Sequence, residues 1–118
     1  MGQYQSVLER LKSLEGLKGA LIVSDKGEIL ESLPVSLDQL EGLVRLVSES
    51  RKSAESLGKE LGKENAGQSY IEYDGLNITF DALSPKELLV IIAIPGANLG
   101  RIRYEIKQTK KLFLQVSG

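Results

Sequence analysis

Neither cysteine nor histidine occurs anywhere in the 118 residues of the chain. The first absence removes a disulfide framework, a thiol nucleophile and cysteine-ligated zinc. The second removes the commonest general base and the commonest metal ligand together, and with them every hydrolase triad that needs an imidazole. Carboxylate and lysine chemistry is most of what remains. Aromatic residues are few, with no tryptophan, two phenylalanines and four tyrosines. An excess of one charge is missing as well. The 15 basic and 16 acidic residues give a pI near 5.5, so the surface as a whole does not favour nucleic acid. The longest apolar run, residues 88–94, is far too short to span a bilayer. The opening MGQYQSVLERLK has no apolar signal core. Met1, Gly2 and Ser6 fit the loose N-myristoylation pattern, but the following residues read as an ordinary helix. A cytoplasmic protein without stable membrane insertion is expected.

What is present is ordinary for a globular domain, with 42% apolar and 26% charged residues. The length lets one core bury about two-thirds of the unfolded surface, so residues 1–118 are expected to form a single domain. Tyr4, Val7, Leu8, Leu11 and Leu14 recur at helical spacing up to Gly16, a natural C-cap glycine. Residues 19–23 are β-prone, break at Ser24-Asp25-Lys26-Gly27, and resume over 28–32 as a hairpin. After Leu33-Pro34-Val35, Ser36-Leu37-Asp38-Gln39 forms an S-x-x-Q capping box with Val35 and Leu40 placed as a hydrophobic staple. A long helix is expected from Leu37 to about Glu64, ended by Asn65-Ala66-Gly67.

Residues 69–73 and 76–83 flank Asp74-Gly75, a two-residue hairpin signal. Leu76, Ile78, Phe80 and Ala82 alternate with Asn77, Thr79 and Asp81, which predicts a strand with one buried face. Residues 87–94 are apolar on both faces and should be central in the sheet. Asn98 caps a last helix carrying Leu99, Ile102, Ile106, Phe113 and Val116. The order is α-β-β-α-β-β-β-α, an α+β domain.

The long helix carries more apolar surface than one sheet can use. Leu37, Leu40, Leu43, Val44, Leu46, Val47, Ala54, Leu57 and Leu61 span about half its circumference, where a helix on a sheet needs a stripe of roughly 100°. The surplus is Leu43, Leu46 and Leu57, with the small Ser50 and Ser53 on the same side. Scattered exposed leucines are normal. A surplus gathered on one side predicts a second buried contact, most simply with another copy of the chain.

No phosphate loop is present. Gly58-Lys59-Glu60-Leu61-Gly62-Lys63-Glu64 approaches G-x-x-x-x-G-K-[ST], but its glycines are one residue too close and Glu64 would repel phosphate. It reads as a helix end. Asp25-Lys26-Gly27 opens a strand rather than a helix, so it reads as a turn in which Gly27 supplies a positive φ and Asp25 bonds N–H groups ahead of it. Asp74 and Asp81 have turn and strand-surface explanations. The last helix holds Arg101, Arg103, Lys107, Lys110 and Lys111 against Glu105 alone. That stripe fits a solvated face whose late lysines complement the helix dipole, or a surface for an acidic partner or anionic lipid. No residue stands out as catalytic, cofactor-binding or metal-binding.

The element order, the capped long helix, the closing strand-helix and the stretch GLKGALIVSDKGEIL (residues 16–30) together resemble the Roadblock family, named for a dynein light chain. The resemblance covers essentially the whole chain, and single-domain prokaryotic members look similar in length. Glu31-Ser32 departs from the small residue that members commonly carry there. The resemblance implies a five-stranded, mostly antiparallel sheet with the long helix on one face and the terminal helices on the other. It implies homodimers that pair long helices and edge strands. Here that means Leu43, Leu46, Ser50, Ser53 and Leu57 on the helix, with Tyr70, Glu72 and Tyr73 on the strand. It further implies a non-enzymatic platform for a small Ras-like GTPase that positions the GTPase's own residues for hydrolysis. Arg45, Arg51 and Lys52 could reach such a partner, although i,i+4 pairing with Glu41, Glu49 and Glu55 explains the arginines equally well. A small-molecule sensor of the PAS or GAF kind, and a light-chain-like scaffold without a GTPase, are the alternatives. A sensor needs a ligand cavity, for which the few aromatics offer little.

Overall fold

In chain order the elements are α1 (Gln3–Leu11), β1 (Leu17–Ser24), β2 (Ile29–Ser32), α2 (Leu40–Glu60), β3 (Ser69–Tyr73), β4 (Leu76–Ser84), β5 (Glu87–Ala93) and α3 (Leu99–Ser117). They come from a computed structural model that describes residues 3–33, 40–63 and 66–117. The expected capping box at 36–39, the staple residue Val35, Met1, Gly2 and the Glu64-Asn65 part of the helix stop lie outside the described residues. The strands form one sheet in the order β2-β1-β5-β4-β3, and every pairing is antiparallel. β5 is central because ELLVIIA can be buried on both faces.

Strand alternation sorts the core into two layers. Leu21, Val23, Ile78, Phe80, Leu88, Val90 and Ile92 meet Val44 and Val47 of α2 on one face. Ala20, Ile22, Leu83, Leu89, Ile91 and Ala93 meet Val7, Leu8 and Leu11 of α1 and Ile102, Ile106 and Phe113 of α3 on the other. Each fully buried aliphatic side chain contributes about 1.5–3 kcal/mol relative to exposure, so both helix layers are held chiefly by apolar burial. Asn98 caps α3 as expected, its Oδ1 accepting the Arg101 N–H at 3.1 Å. No helix among the described residues is long and apolar enough to cross a membrane.

Four local expectations change. β4 is buried on both faces, since α3 covers Asn77, Thr79 and Asp81. Asp81 is therefore not a strand-surface residue. Helix α2 stops at Glu60, before the Asn65-Ala66-Gly67 stop. Gly62, at φ 76°, donates to the Lys59 carbonyl at 3.0 Å while Lys63 donates to the Gly58 carbonyl at 2.8 Å, a Schellman closure. Helix α1 ends at Leu11, and Gly16 serves a close approach instead of a cap. A Cβ there would stand 2.9 Å from the Ala97 Cβ, and φ is 84°. In the β1–β2 turn Gly27 has the expected positive φ of 86°. The Ser24 hydroxyl, however, accepts the Lys26 and Glu28 N–H groups at 3.2 and 3.1 Å, the part expected of Asp25.

Candidate functional site

The sequence of α2 divides its surface into an inner and an outer ridge. Val44, Val47 and Arg51 are buried toward the sheet. Leu46, Ser50, Ser53 and Leu57 follow one another at spacings of four, three and four, so they share a ridge about 16 Å long. That ridge faces solvent. Leu46 and Leu57 are 54% and 63% exposed, and Leu61 beyond the helix is 68% exposed. Ser50 and Ser53 are exposed as well. Leu43 sits differently. It is half-buried and packs on the margin of the α2-side core together with Ile71 and Leu76, so part of its surface is used within the chain.

β3 lies beside this margin and pairs with β4 alone, in unbroken register from Ser69↔Phe80 to Tyr73↔Leu76. Its other side is a free edge among the described residues. The segment SYIEY has no proline, no lysine and no bulge, the usual devices that blunt an edge. Register divides the three expected contact residues between two faces. Tyr73, opposite Leu76, lies on the α2 face, whereas Tyr70 and Glu72, opposite Thr79 and Asn77, lie on the α3 face. Tyr70 and Tyr73 are 40% and 52% exposed, so either could touch a strand added at this edge.

Of the three basic residues expected to reach a partner, Arg45 and Lys52 are exposed and Arg51 is not. Arg51 is 8% exposed. Its Nη1 and Nη2 donate to the carbonyls of Gly67 and Ala66, both at 2.9 Å. The guanidinium also lies 3.4 Å from Glu55 and 3.6 Å from the buried Asp81. Asp81 is held in turn by Lys110 of α3 at 3.2 Å and accepts the Ala82 N–H at 2.7 Å. The Arg51–Asp81–Lys110 set ties α2, the approach to β3, the end of β4 and α3 together. Arg51 is thereby withdrawn from solvent by its own fold. Sequence reasoning missed this set, although one signal was available: Arg51 continues the inner ridge of Val44 and Val47.

Two open clefts could admit small molecules. One of about 700 Å³ lies between α2 and the β4–β5 turn. Its charged lining balances, with Arg51, Lys52 and Lys110 against Asp25, Glu55 and Glu87, and the buried Arg51 is already satisfied. The other, of about 690 Å³, lies between residues 13–16 and 94–101. At the rim of the first, Glu87 accepts hydrogen bonds from Tyr4 and Ser84. The bond from Tyr4, its partial burial and the Glu87 charge together hold the Tyr4 hydroxyl above its ordinary pKa of 10.0. Among the described residues no three acidic, histidine or cysteine groups gather to hold a metal ion.

These features define a small α+β module with a two-sided sheet, a half-uncovered helix α2 and, at β3, a strand edge left unpaired among the described residues. The chain belongs to the Roadblock/LC7 domain family, whose model matches residues 3–93. Two uncharacterized proteins of Methanocaldococcus jannaschii are each 33% identical to it over 104 residues, covering 86% of this chain and 89% of the relative. Among solved structures, the gliding protein MglB of Thermus thermophilus superposes with a TM-score of 0.85 at 22% identity, over 97% of this chain and 87% of that one. MglB of Myxococcus xanthus gives 0.88 at 18% identity, over 98% and 95%. At these identities the structural matches establish the fold: the Roadblock arrangement of a five-stranded antiparallel sheet with one helix on one face and two on the other.

Proposed function

We propose that the chain is a non-enzymatic homodimeric regulator that binds a small Ras-like GTPase and positions it for GTP hydrolysis. The observation that carries the dimer is the exposed ridge Leu46-Ser50-Ser53-Leu57 lying beside the unblunted edge of β3. Half-exposed leucines each have on the order of 1 kcal/mol to gain from burial. The serines between them let a second helix approach closely. Edge pairing adds backbone hydrogen bonds, and a two-fold axis would use both surfaces at once. The GTPase reading rests on membership of the Roadblock family and on the likeness to MglB.

On this reading the chain acts through shape and placement. Arg51, engaged with Ala66, Gly67 and Asp81, is not available as a finger inserted into another protein's site. Arg45 and Lys52 remain exposed on the flank of α2 for polar contacts at the rim. The test is to mix the chain with the small GTPases of its own genome, loaded with GDP or with a non-hydrolysable GTP analogue. Complex formation that depends on the nucleotide is expected. Binding to none of them in either state overturns the GTPase reading and leaves a scaffold of the light-chain kind.

A further inference from the structure

We propose that the outer arc of α3 is a docking surface for an anionic lipid bilayer. Charge in this chain is unevenly placed. Bases and acids number 15 and 16 overall, yet the 19 residues of α3 contain five bases and the single acid Glu105. That acid is turned inward, 6% exposed, and pairs with Arg10 at 3.3 Å and Arg101 at 3.1 Å. Lys110 is committed to Asp81. Arg103, Lys107 and Lys111 are exposed and have no ion pair among the described residues. They stand four residues apart, the spacing at which like charges on a helix repel, and no acid on α3 relieves them.

At 100° per residue these three bases, with Tyr104 and Leu114, fall within an arc of about 100° directed away from the buried Ile102, Ile106 and Phe113. Tyr104 and Leu114 are 55% and 60% exposed. A straight convex ridge of bases with a tyrosine and a leucine beside them presents every residue at once to a flat anionic surface. Basic side chains gain from the potential of anionic headgroups, and a tyrosine suits the headgroup level.

The placement in the fold adds a second consequence. α3 covers the sheet face opposite α2, so a bilayer on α3 leaves the α2 ridge and the β3 edge open. Two copies joined edge to edge would carry both α3 arcs on the same side and bind by avidity. That amplification rests on the dimer reading, whereas the docking itself does not.

The test is co-sedimentation of the full chain with vesicles of phosphatidylcholine alone and of phosphatidylcholine mixed with phosphatidylglycerol. Binding to the mixed vesicles only, reversed by high salt, is expected. Each base is worth about fivefold in partitioning. The Arg103→Gln/Lys107→Gln/Lys111→Gln variant should therefore lose about a hundredfold while melting like the parent. A Leu46→Asp variant, monomeric on the dimer reading, should bind the same vesicles more weakly but with the same dependence on lipid and salt. No binding to mixed vesicles at low salt overturns the proposal, as does a triple variant that binds like the parent. Retention on immobilised polyglutamate with none on vesicles overturns it in favour of an acidic protein.

Discussion

Replacing Arg51 by methionine removes the guanidinium while keeping a long unbranched stem and a comparable helix propensity. The head group donates to two carbonyls at 2.9 Å. Two bonds from a charged donor, each worth about 1.5 kcal/mol net, amount to about 3 kcal/mol. The Glu55 pair adds little, because that carboxylate is 47% exposed. Breaking a buried pair without replacement costs about 3–5 kcal/mol, but Asp81 keeps Lys110 at 3.2 Å and the Ala82 N–H at 2.7 Å. The low end of that range therefore governs. The expected loss is about 3 kcal/mol, a large share of the 5–15 kcal/mol typical of a domain, and roughly 10 °C in melting temperature. Urea unfolding followed by circular dichroism reads it directly. Arg51→Lys should recover little, since a compact ammonium cannot span both carbonyls and the carboxylate. Arg51→Met and Asp81→Asn combined should cost less than the sum of the two. A loss below about 1 kcal/mol for Arg51→Met, or full recovery with lysine, refutes the assignment of this residue as the tie between α2 and the end of β4.

Three further outcomes are expected. Tyr4→Phe removes the hydrogen bond to Glu87 and should cost about 1 kcal/mol at neutral pH. Because the folded pKa of Tyr4 is raised above 10.0, its contribution is complete below that value and disappears as pH climbs through the higher folded value. The variant should therefore lack that alkaline step in melts across the pH range, and a step that persists unchanged would show another group to be responsible. Gly16→Ala combines a φ of 84° with a Cβ 2.9 Å from Ala97, and should cost about 2–3 kcal/mol. Gly75→Ala has a φ of 91° but open space around it, and should cost only about 1 kcal/mol; equal losses in chemical denaturation would contradict that ordering. Leu46→Asp or Leu57→Asp should reduce the mass seen in light scattering to that of one chain with little change in urea stability of the monomer, and an unchanged dimer would remove the α2 ridge from the interface.

Much of the architecture could be read from residue order. Helical spacing made α1 and α3 visible, alternation made β4 visible, and turn chemistry at Asp74-Gly75 and Asn98 located β3 and the start of α3. Two-sided apolarity alone put residues 87–94 at the centre of the sheet, where β5 occupies Glu87–Ala93. The failures share a cause, which is that one strand of sequence does not show what covers it. Asn77, Thr79 and Asp81 look like a solvated face until α3 lies over them, and Arg51 looks like a free surface base until Ala66 and Gly67 turn their carbonyls toward it. Leu43 and Leu46 belong to the same apolar surplus, yet only the structure separates the one packed on the core margin from the one left in solvent. Nor could composition divide Tyr73 from Tyr70 and Glu72, since a face assignment needs the register with β4.

The two margins of the sheet are unequal. β2 has four residues, is joined to β1 through a register shift at Ile22/Val23, and is flanked by α1. β3 pairs with β4 in unbroken register and carries no further strand among the described residues. A chain with two equally receptive margins could stack copies without limit into a fibre. A chain whose margins differ in length and regularity offers one edge better suited to pairing than the other. On the dimer reading, the short and irregular β2 leaves β3 as the better-formed margin for such a joint.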